Sequence, residues 1–388
     1  MKHIAIITAT RAEYGLLAPL IRQLSKTPGV TPHLLVSGTH LLQHYGYTKQ
    51  QIEADGFPIE HVIPILDEDH VGTERQATRA AARAADQMAA IFETNHYDAM
   101  IVLGDRYELL GFCTAAVICR VPIIHIHGGE ITEGAIDDKI RHAITKMASL
   151  HFPSIEPYAK RILQMGESPE RVFPVGALGI DNILQITTLD KPQLLQLLGI
   201  SDALPLAAVT FHPVTVESPE MAAQEVQEVL QALLETGVYA VITCPNSDVG
   251  GMQVYTQIAR AVEAHPEQMC LHKSLGQKRY LSLLRHADIM VGNSSSGILE
   301  SAAFGLPTVD IGERQKGRLR PKNVVHCGCT RTEIVDAIRR GLDPAFREGL
   351  RGYVTPYGDG HAAERIARII QETDFSDPSL IAKPFCDR

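Results

Sequence analysis

The stretch 101–146, IVLGDRYELLGFCTAAVICRVPIIHIHGGEITEGAIDDKIRHAITK, decides the fold. Two apolar runs, 100–103 and 121–126, each stop abruptly. Asp105 and Arg106 follow the first; His127, Gly128, Gly129 and Glu130 follow the second. The apolar segment 109–119 between them has helical length, so the unit reads strand–helix–strand. In a parallel α/β sheet, ligands bind beyond the carboxyl ends of the strands. Both charged clusters are therefore expected on one rim, where carboxylates distant in sequence meet.

The same alternation runs along the whole chain. Strands are expected at 3–8, 32–37, 61–65, 98–103, 121–126, 150–153 and 171–175. After a helical stretch near 179–199 they are expected again at 206–211, 238–243, 268–271, 288–291, 307–311 and 323–326. This pattern predicts parallel sheets with helices on both faces. Ser218, Pro219 and Glu220 read as a helix start, with Ala222, Val226, Val229, Leu230 and Leu233 on one face. Pro192, Gly199 and Pro205 mark 181–206 as the hinge between two halves, and a last helix is expected around 361–371. At 388 residues the chain exceeds one ordinary core.

Composition narrows the function classes. Hydrophobic residues make up 45% and charged residues 21%, as in soluble globular proteins. A net charge of −9 argues against nucleic-acid binding. No apolar run approaches the roughly 18 residues of a membrane span, and the first residues enter a strand with no secretory-type segment. A cytoplasmic location is expected. The seven cysteines include no CxxC, which fits incidental thiols in a reducing compartment.

No cofactor is expected. The first strand ends in TATRAEYG (8–15) where a dinucleotide fold would carry GxGxxG, and no GxxxxGK[ST] occurs anywhere. Arg11 sits where strand gives way to helix, a place to meet a phosphate, though spacing alone does not separate this from a surface arginine. DIMVGNSSSG (288–297) reads as a strand running into a Gly/Ser loop that opens a helix. Its N–H groups and hydroxyls suit anionic oxygens, and Glu300 lies about one turn further. Arg314, Lys316, Arg318 and Arg320 follow the next strand as a basic run placed for diphosphate contact. His212 closes a strand, and Asn246 follows the next one as a candidate base or ribose contact. Asp105, Glu130, Asp137 and Asp138 are the acid/base candidates. His125 and His127 alternate along a strand and so share a face; with these carboxylates a divalent metal stays open as an alternative, although none is assigned.

GDRYE (104–108), HIHGGE (125–130), DDKIRHAITK (137–146), HPVT (212–215), GNSSSG (292–297), GERQKG (312–317) and YGDG (357–360) together resemble the hydrolysing UDP-N-acetylglucosamine 2-epimerases of sialic-acid biosynthesis. The resemblance covers nearly the whole chain. It implies an α/β fold of two Rossmann-like domains facing a central cleft, GT-B-like. The domains are expected at 1–180, carrying the sugar-facing carboxylates, and at 181–357, binding UDP, with a helix and tail at 358–388 packing back on the first. It implies conversion of UDP-GlcNAc and water to N-acetylmannosamine and UDP, the first step of sialic acid biosynthesis, by a homo-oligomer (dimer or tetramer). By the match, Arg11, Arg106, His212, Asn246, Ser294, Ser295, Glu300 and Arg314 contact the nucleotide and diphosphate. Asp105, Glu130 and Asp137 take the catalytic positions, and His212 is counted with them too. One family pattern carries glutamate where this chain has His127, which favours Glu130. The alternatives are the same reaction on a UDP-2,4-diacetamido-2,4,6-trideoxyhexose, a non-hydrolysing epimerase, a GT-B glycosyltransferase, and a sugar-nucleotide sensor.

Overall fold

The computed structural model describes residues 1–68, 73–132, 136–212, 219–243, 251–272 and 275–387. Two compact units make up the chain: Met1–Asn182 with Tyr357–Arg388, and Ile183–Pro356.

In chain order the first unit contains β1 (Lys2–Thr8), α1 (Arg11–Lys26), β2 (Val30–Ser37), α2 (Lys49–Ala54), β3 (Ile59–Ile63), α3 (Glu74–Thr94), β4 (Ala99–Leu103), α4 (Tyr107–Ile118), β5 (Ile123–Ile126), α5 (Ile136–Met147), β6 (Leu150–Phe152) and α6 (Glu156–Gln164). Helix α7 (Leu178–Gln185) crosses the unit boundary. The second unit continues with α8 (Lys191–Leu198), β7 (Leu206–Thr210), α9 (Pro219–Thr236), β8 (Tyr239–Thr243), α10 (Gly251–Ala264), β9 (Met269–His272), α11 (Gly276–His286), β10 (Ile289–Gly292), α12 (Glu300–Ala303), β11 (Thr308–Ile311), β12 (Val324–Cys327), α13 (Arg331–Leu342) and α14 (Pro344–Glu348). Helix α15 (Ala362–Glu372) belongs to the first unit again.

Both sheets are parallel throughout. The first has the order β3-β2-β1-β4-β5-β6 and the second β12-β11-β10-β7-β8-β9, the same doubly wound topology read in opposite directions. Strand order reverses between β1 and β4 and between β7 and β10, which makes those two junctions the expected binding crevices.

Side-chain alternation shows why each sheet needs helices on both faces. Ile4 and Ile6 of β1 join Leu17, Leu20 and Leu24 of α1 and Ile366 and Ile370 of α15 in one core. Ala5 and Ile7 join Ala84 and Met88 of α3 and Phe112 of α4 in the other. Helix α1 even accommodates a proline. Pro19 has no N–H for the Gly15 carbonyl, and Asn182 Nδ2 donates to that oxygen at 3.0 Å instead. In the second unit Val226, Val229, Leu230 and Leu233 of α9 are buried against the sheet, as their spacing predicts. Ser218, the expected cap of that helix, lies outside the described residues.

One expected strand is absent. Residues 171–175 make a single bridge, His151↔Val172, and then follow the β6 edge as coil. Phe173 and Val175 donate to the carbonyls of His151 and Pro153, at 2.9 and 3.1 Å. Pro153 has no N–H to return, so the ladder stops there.

The C-terminal segment is tied down by charge. Asp181 caps α15, accepting from the N–H groups of Ala362 and Ala363 at 3.0 and 2.6 Å. Glu167, 2% exposed, accepts from Lys146 at 2.5 Å, His151 at 3.0 Å and Lys383 at 2.7 Å. Among the described residues no helix is long and apolar enough to cross a membrane.

Candidate active site

The rim of the first unit is built where β1, β4 and β5 end. β4 is wholly buried and gives way to Gly104, at φ +84°, whose N–H donates to the Ile126 carbonyl at 3.0 Å. Asp105 thereby emerges beside the end of β5, and its side chain is 25% exposed.

His125 locks this turn from below. It is fully buried, and its Nε2–H donates to the Gly104 carbonyl at 2.8 Å, while Nδ1 lies 3.2 Å from the Thr145 hydroxyl. Burial pushes its pKa down to about 3, so it acts as a neutral strut. His127 turns the other way, because β5 ends at Ile126 and His127 has φ +63°. The two imidazoles therefore do not share a strand face. With both nitrogens of His125 engaged, the metal alternative loses its first ligand.

The next two residues, Gly128 and Gly129, shape the approach to Glu130. Gly129 has φ +78°, and a Cβ there would stand 2.4 Å from the Tyr158 carbonyl oxygen, so only glycine fits. Glu130 Oε1 then lies 3.5 Å from His127 Nδ1 and is partly exposed.

Arg141 of α5 binds these pieces together. It donates to Asp105, to Asp138 Oδ1 at 3.1 Å and to the Thr132 hydroxyl at 3.0 Å, while its own side chain is 5% exposed. Asp138 also accepts from the Thr132 N–H at 2.9 Å. Asp138 is thus a structural acceptor, although its residue type qualified it for acid/base work. Asp137, one residue earlier, is half-buried and makes no side-chain hydrogen bond or ion pair among the described residues. The structure brings Asp105 and Asp138 onto one guanidinium and pairs Glu130 with His127. Arg141 itself was not among the candidates. Its spacing, three residues after Asp138 on one helix, was the available signal.

At the junction of β1 and β4, Arg11 is exposed at the start of α1. Arg106 donates to Glu108 through Nε at 3.3 Å and Nη2 at 3.1 Å. Glu13 closes a capping box with Thr10, its Oε2 accepting from the N–H groups of Ala9 and Thr10 at 2.8 and 3.0 Å.

In the second unit the corresponding junction lies between β7 and β10. Asn293, 1% exposed, accepts from the His212 N–H at 2.8 Å and donates to the His212 carbonyl at 2.7 Å. This double bond holds His212 at the strand end. Gly292 permits the approach, since a Cβ there would meet the Thr210 carbonyl oxygen at 1.9 Å. Arg314 Nη1 and Gln315 Nε2 both donate to the Asn293 carbonyl, at 3.2 and 2.8 Å, folding the 312–318 loop back over β10.

The Gly/Ser loop departs from expectation. In place of one helix it forms a three-residue 3₁₀ turn, Ser295–Gly297, capped by Ser294, and then the four-residue α12. A segment this short has no appreciable macrodipole, so any anion affinity comes from individual N–H and hydroxyl donors. The Ser296 and Tyr280 hydroxyls share a hydrogen bond of 2.6 Å. Glu300 Oε2 is sealed from solvent without a hydrogen-bond partner among the described residues. Burial raises the Glu300 carboxyl, and its negative charge adds to burial in raising Tyr280.

The basic run is divided by its partners. Arg320 donates through Nε to the buried Asp310 at 2.8 Å, while Lys316 lies 3.8 Å from Glu313 in an exposed pair. Arg318 is left facing the Glu300 carboxylate electrostatically. Asn246, the remaining candidate, lies outside the described residues.

Comparison with known proteins agrees with this architecture. Residues 22–371 match the family description "UDP-N-acetylglucosamine 2-epimerase". A UDP-N,N'-diacetylbacillosamine 2-epimerase (hydrolyzing) from Legionella pneumophila is 34% identical over 373 residues, covering 96% of each chain. The polysialic acid biosynthesis protein P7 of Escherichia coli is 33% identical over 374 residues, 96% of this chain and 94% of that protein. The fold is shared with the UDP-GlcNAc 2-epimerase of Neisseria meningitidis in its UDP-GlcNAc complex. There the TM-score is 0.76 at 18% identity, covering 96% of this chain and 100% of that one. The chain belongs to the UDP-N-acetylglucosamine 2-epimerase family.

Proposed function

We propose that this protein is a hydrolysing 2-epimerase of UDP-linked 2-acetamido sugars, with UDP-N-acetylglucosamine as substrate and N-acetylmannosamine and UDP as products. The observation that carries the reading is the Asp105 carboxylate, held by the buried Arg141 at the parallel-sheet rim that also carries Glu130.

The chemistry follows from what the sugar lacks. Its C2–H is not acidic, and the first βα turn carries no dinucleotide fingerprint that would serve oxidation of a neighbouring carbon. Inversion then proceeds by loss of UDP. A carboxylate takes the C2 proton, the C1–O bond breaks with its electron pair going to the diphosphate, and a glycal forms. A second acid protonates C2 from the opposite face while water adds at C1 and gives up a proton. The sum is UDP-GlcNAc plus water giving N-acetylmannosamine plus UDP. Two faces require at least two acid/base groups, and Asp105, Glu130 and Asp137 supply them. His212, Arg11, Arg106, Arg314 and the hydroxyls of Ser294 and Ser295 stabilise the leaving diphosphate. Glu300, with its sealed acceptor oxygen, takes the ribose hydroxyls, and Asn246 contacts the base or ribose.

The name of the Escherichia coli relative supports N-acetylmannosamine production for sialic acid. The name of the Legionella relative supports a second reading, the same reaction on UDP-N,N'-diacetylbacillosamine. Offering each nucleotide sugar in a separate reaction at equal concentration and following UDP release decides between them. Preferential turnover of UDP-GlcNAc confirms the first reading, turnover of the diacetamido sugar alone replaces it with the second, and no UDP release from either contradicts both.

A further inference from the structure

Two carboxylates and one guanidinium are packed where β1 and β4 end, and the proposed chemistry uses only the guanidinium. Glu13 is 6% exposed and Glu108 fully buried. Each has one engaged oxygen, Glu13 Oε2 on the N–H groups of Ala9 and Thr10, and Glu108 Oε1 on Arg106. Each has a second oxygen, Glu13 Oε1 and Glu108 Oε2, that is buried with no hydrogen-bond partner among the described residues. We propose that Glu13 and Glu108 are positioning residues for Arg106, and that Glu13 takes up a proton when the guanidinium engages a nucleotide diphosphate.

The argument is one of charge count. Arg106 carries one positive charge and faces two carboxylates, so full ionisation would leave a net negative charge on two buried carboxylates. The groups facing Glu13 are Glu108 and Arg106, with the Ala9 and Thr10 amides. Tyr107 faces Glu108 and Arg106, and Tyr45 faces Tyr107. His40, reached through Thr8 at 3.0 Å, is held neutral by burial. Burial raises the Glu13 carboxyl to about 7; Ala9 and Arg106 pull it down, and Glu108 pushes it up. The Arg106 side chain is 39% exposed, so its outer edge is open to a ligand. A diphosphate placed on that edge cancels the positive charge that keeps part of Glu13 ionised. The carboxyl then becomes a weaker acid, and a proton enters from solvent. Nucleotide binding is therefore tighter at lower pH across the window in which free Glu13 titrates.

The inference rests on the reading of the site as a UDP site, and one titration separates the two. Calorimetric titration of the full-length protein with UDP at pH 7, in Pipes and in Tris, gives the protons taken up per nucleotide. Glu13→Gln keeps the capping acceptor and removes the titration, while the ionisation of UDP itself is common to both proteins. The expected result is that wild type takes up about half a proton more than Glu13→Gln. Glu108→Ala is expected to weaken UDP at least tenfold, with Glu108→Gln restoring part of the loss. An equal proton count in wild type and Glu13→Gln overturns the inference while leaving the nucleotide site standing. Absence of any saturable UDP binding overturns the nucleotide reading itself. Should Glu13→Gln not fold, the infrared difference spectrum of wild type on UDP addition serves instead. Growth of a protonated-carboxyl band supports the proposal, and no growth overturns it.

Discussion

Arg141, almost wholly buried, donates to the Asp105 carboxylate across 36 residues of sequence. A carboxylate held by one oxygen in this way has a fixed orientation and keeps its other oxygen for a reacting proton. Asp105→Asn and Glu130→Gln keep the shape of their sites and remove the base. Both are expected to lose turnover by roughly 10²–10⁴-fold while UDP affinity stays within a few-fold of wild type. Steady-state rates beside UDP titrations check this, and near-wild-type turnover in either variant removes that residue from the mechanism.

The Arg141 fork reaches Asp105, Asp138 and Thr132 at once, which an ammonium on a flexible stem cannot reproduce. Arg141→Lys is expected to lower kcat at least tenfold with little change in UDP affinity. Equal losses in both quantities would place Arg141 in nucleotide binding instead.

Glu300 presents a sealed acceptor oxygen without a donor among the described residues. Glu300→Ala is expected to weaken UDP by about 1.5–3 kcal/mol, the range for hydrogen bonds to a charged group. Inorganic pyrophosphate, which has no ribose, is expected to bind the variant as it binds wild type. A matching loss for both ligands contradicts the ribose assignment.

Much of this was legible in the chain. Apolar runs that stop abruptly before Asp105, His127, His212 and Asn293 announce both rims, because in parallel sheets the strands are continuous apolar runs. Residues 171–175 mislead because Val172, Phe173 and Val175 pack as they would in a strand; only the missing N–H of Pro153 stops the ladder. Arg314 and Arg320 look alike in sequence. They part company because the side chain of Asp310 on β11 faces inward and claims Arg320. Glu13 closes a capping box, a role in which the acid is normally solvated. Its burial beside Glu108 arises from the adjacency of β1 and β4, which no local pattern encodes.

The Glu167 knot gives a prediction about stability. Burial pushes this carboxyl up, but hydrogen bonds from His151, Lys146 and Lys383 outweigh it and bring the pKa to about 2. The folded pKa lies below the ordinary carboxylate value, so its contribution is present above about pH 4.5 and fades as pH falls toward 2. Glu167→Gln is expected to cost about 2 kcal/mol at neutral pH, reduced from a fully buried pair because Lys146 is 39% exposed. Denaturant unfolding of wild type and variant at pH 7 and pH 3 checks this. A difference that does not shrink at pH 3 would show that packing, and not charge, ties the tail.

The central claim is that UDP leaves as C2 inverts and water takes its place. Incubating the protein with UDP-GlcNAc in deuterated water and following the products by NMR tests it most directly. The account predicts UDP and free N-acetylmannosamine carrying deuterium at C2. Accumulation of UDP-linked N-acetylmannosamine, or a free sugar without deuterium at C2, would contradict it.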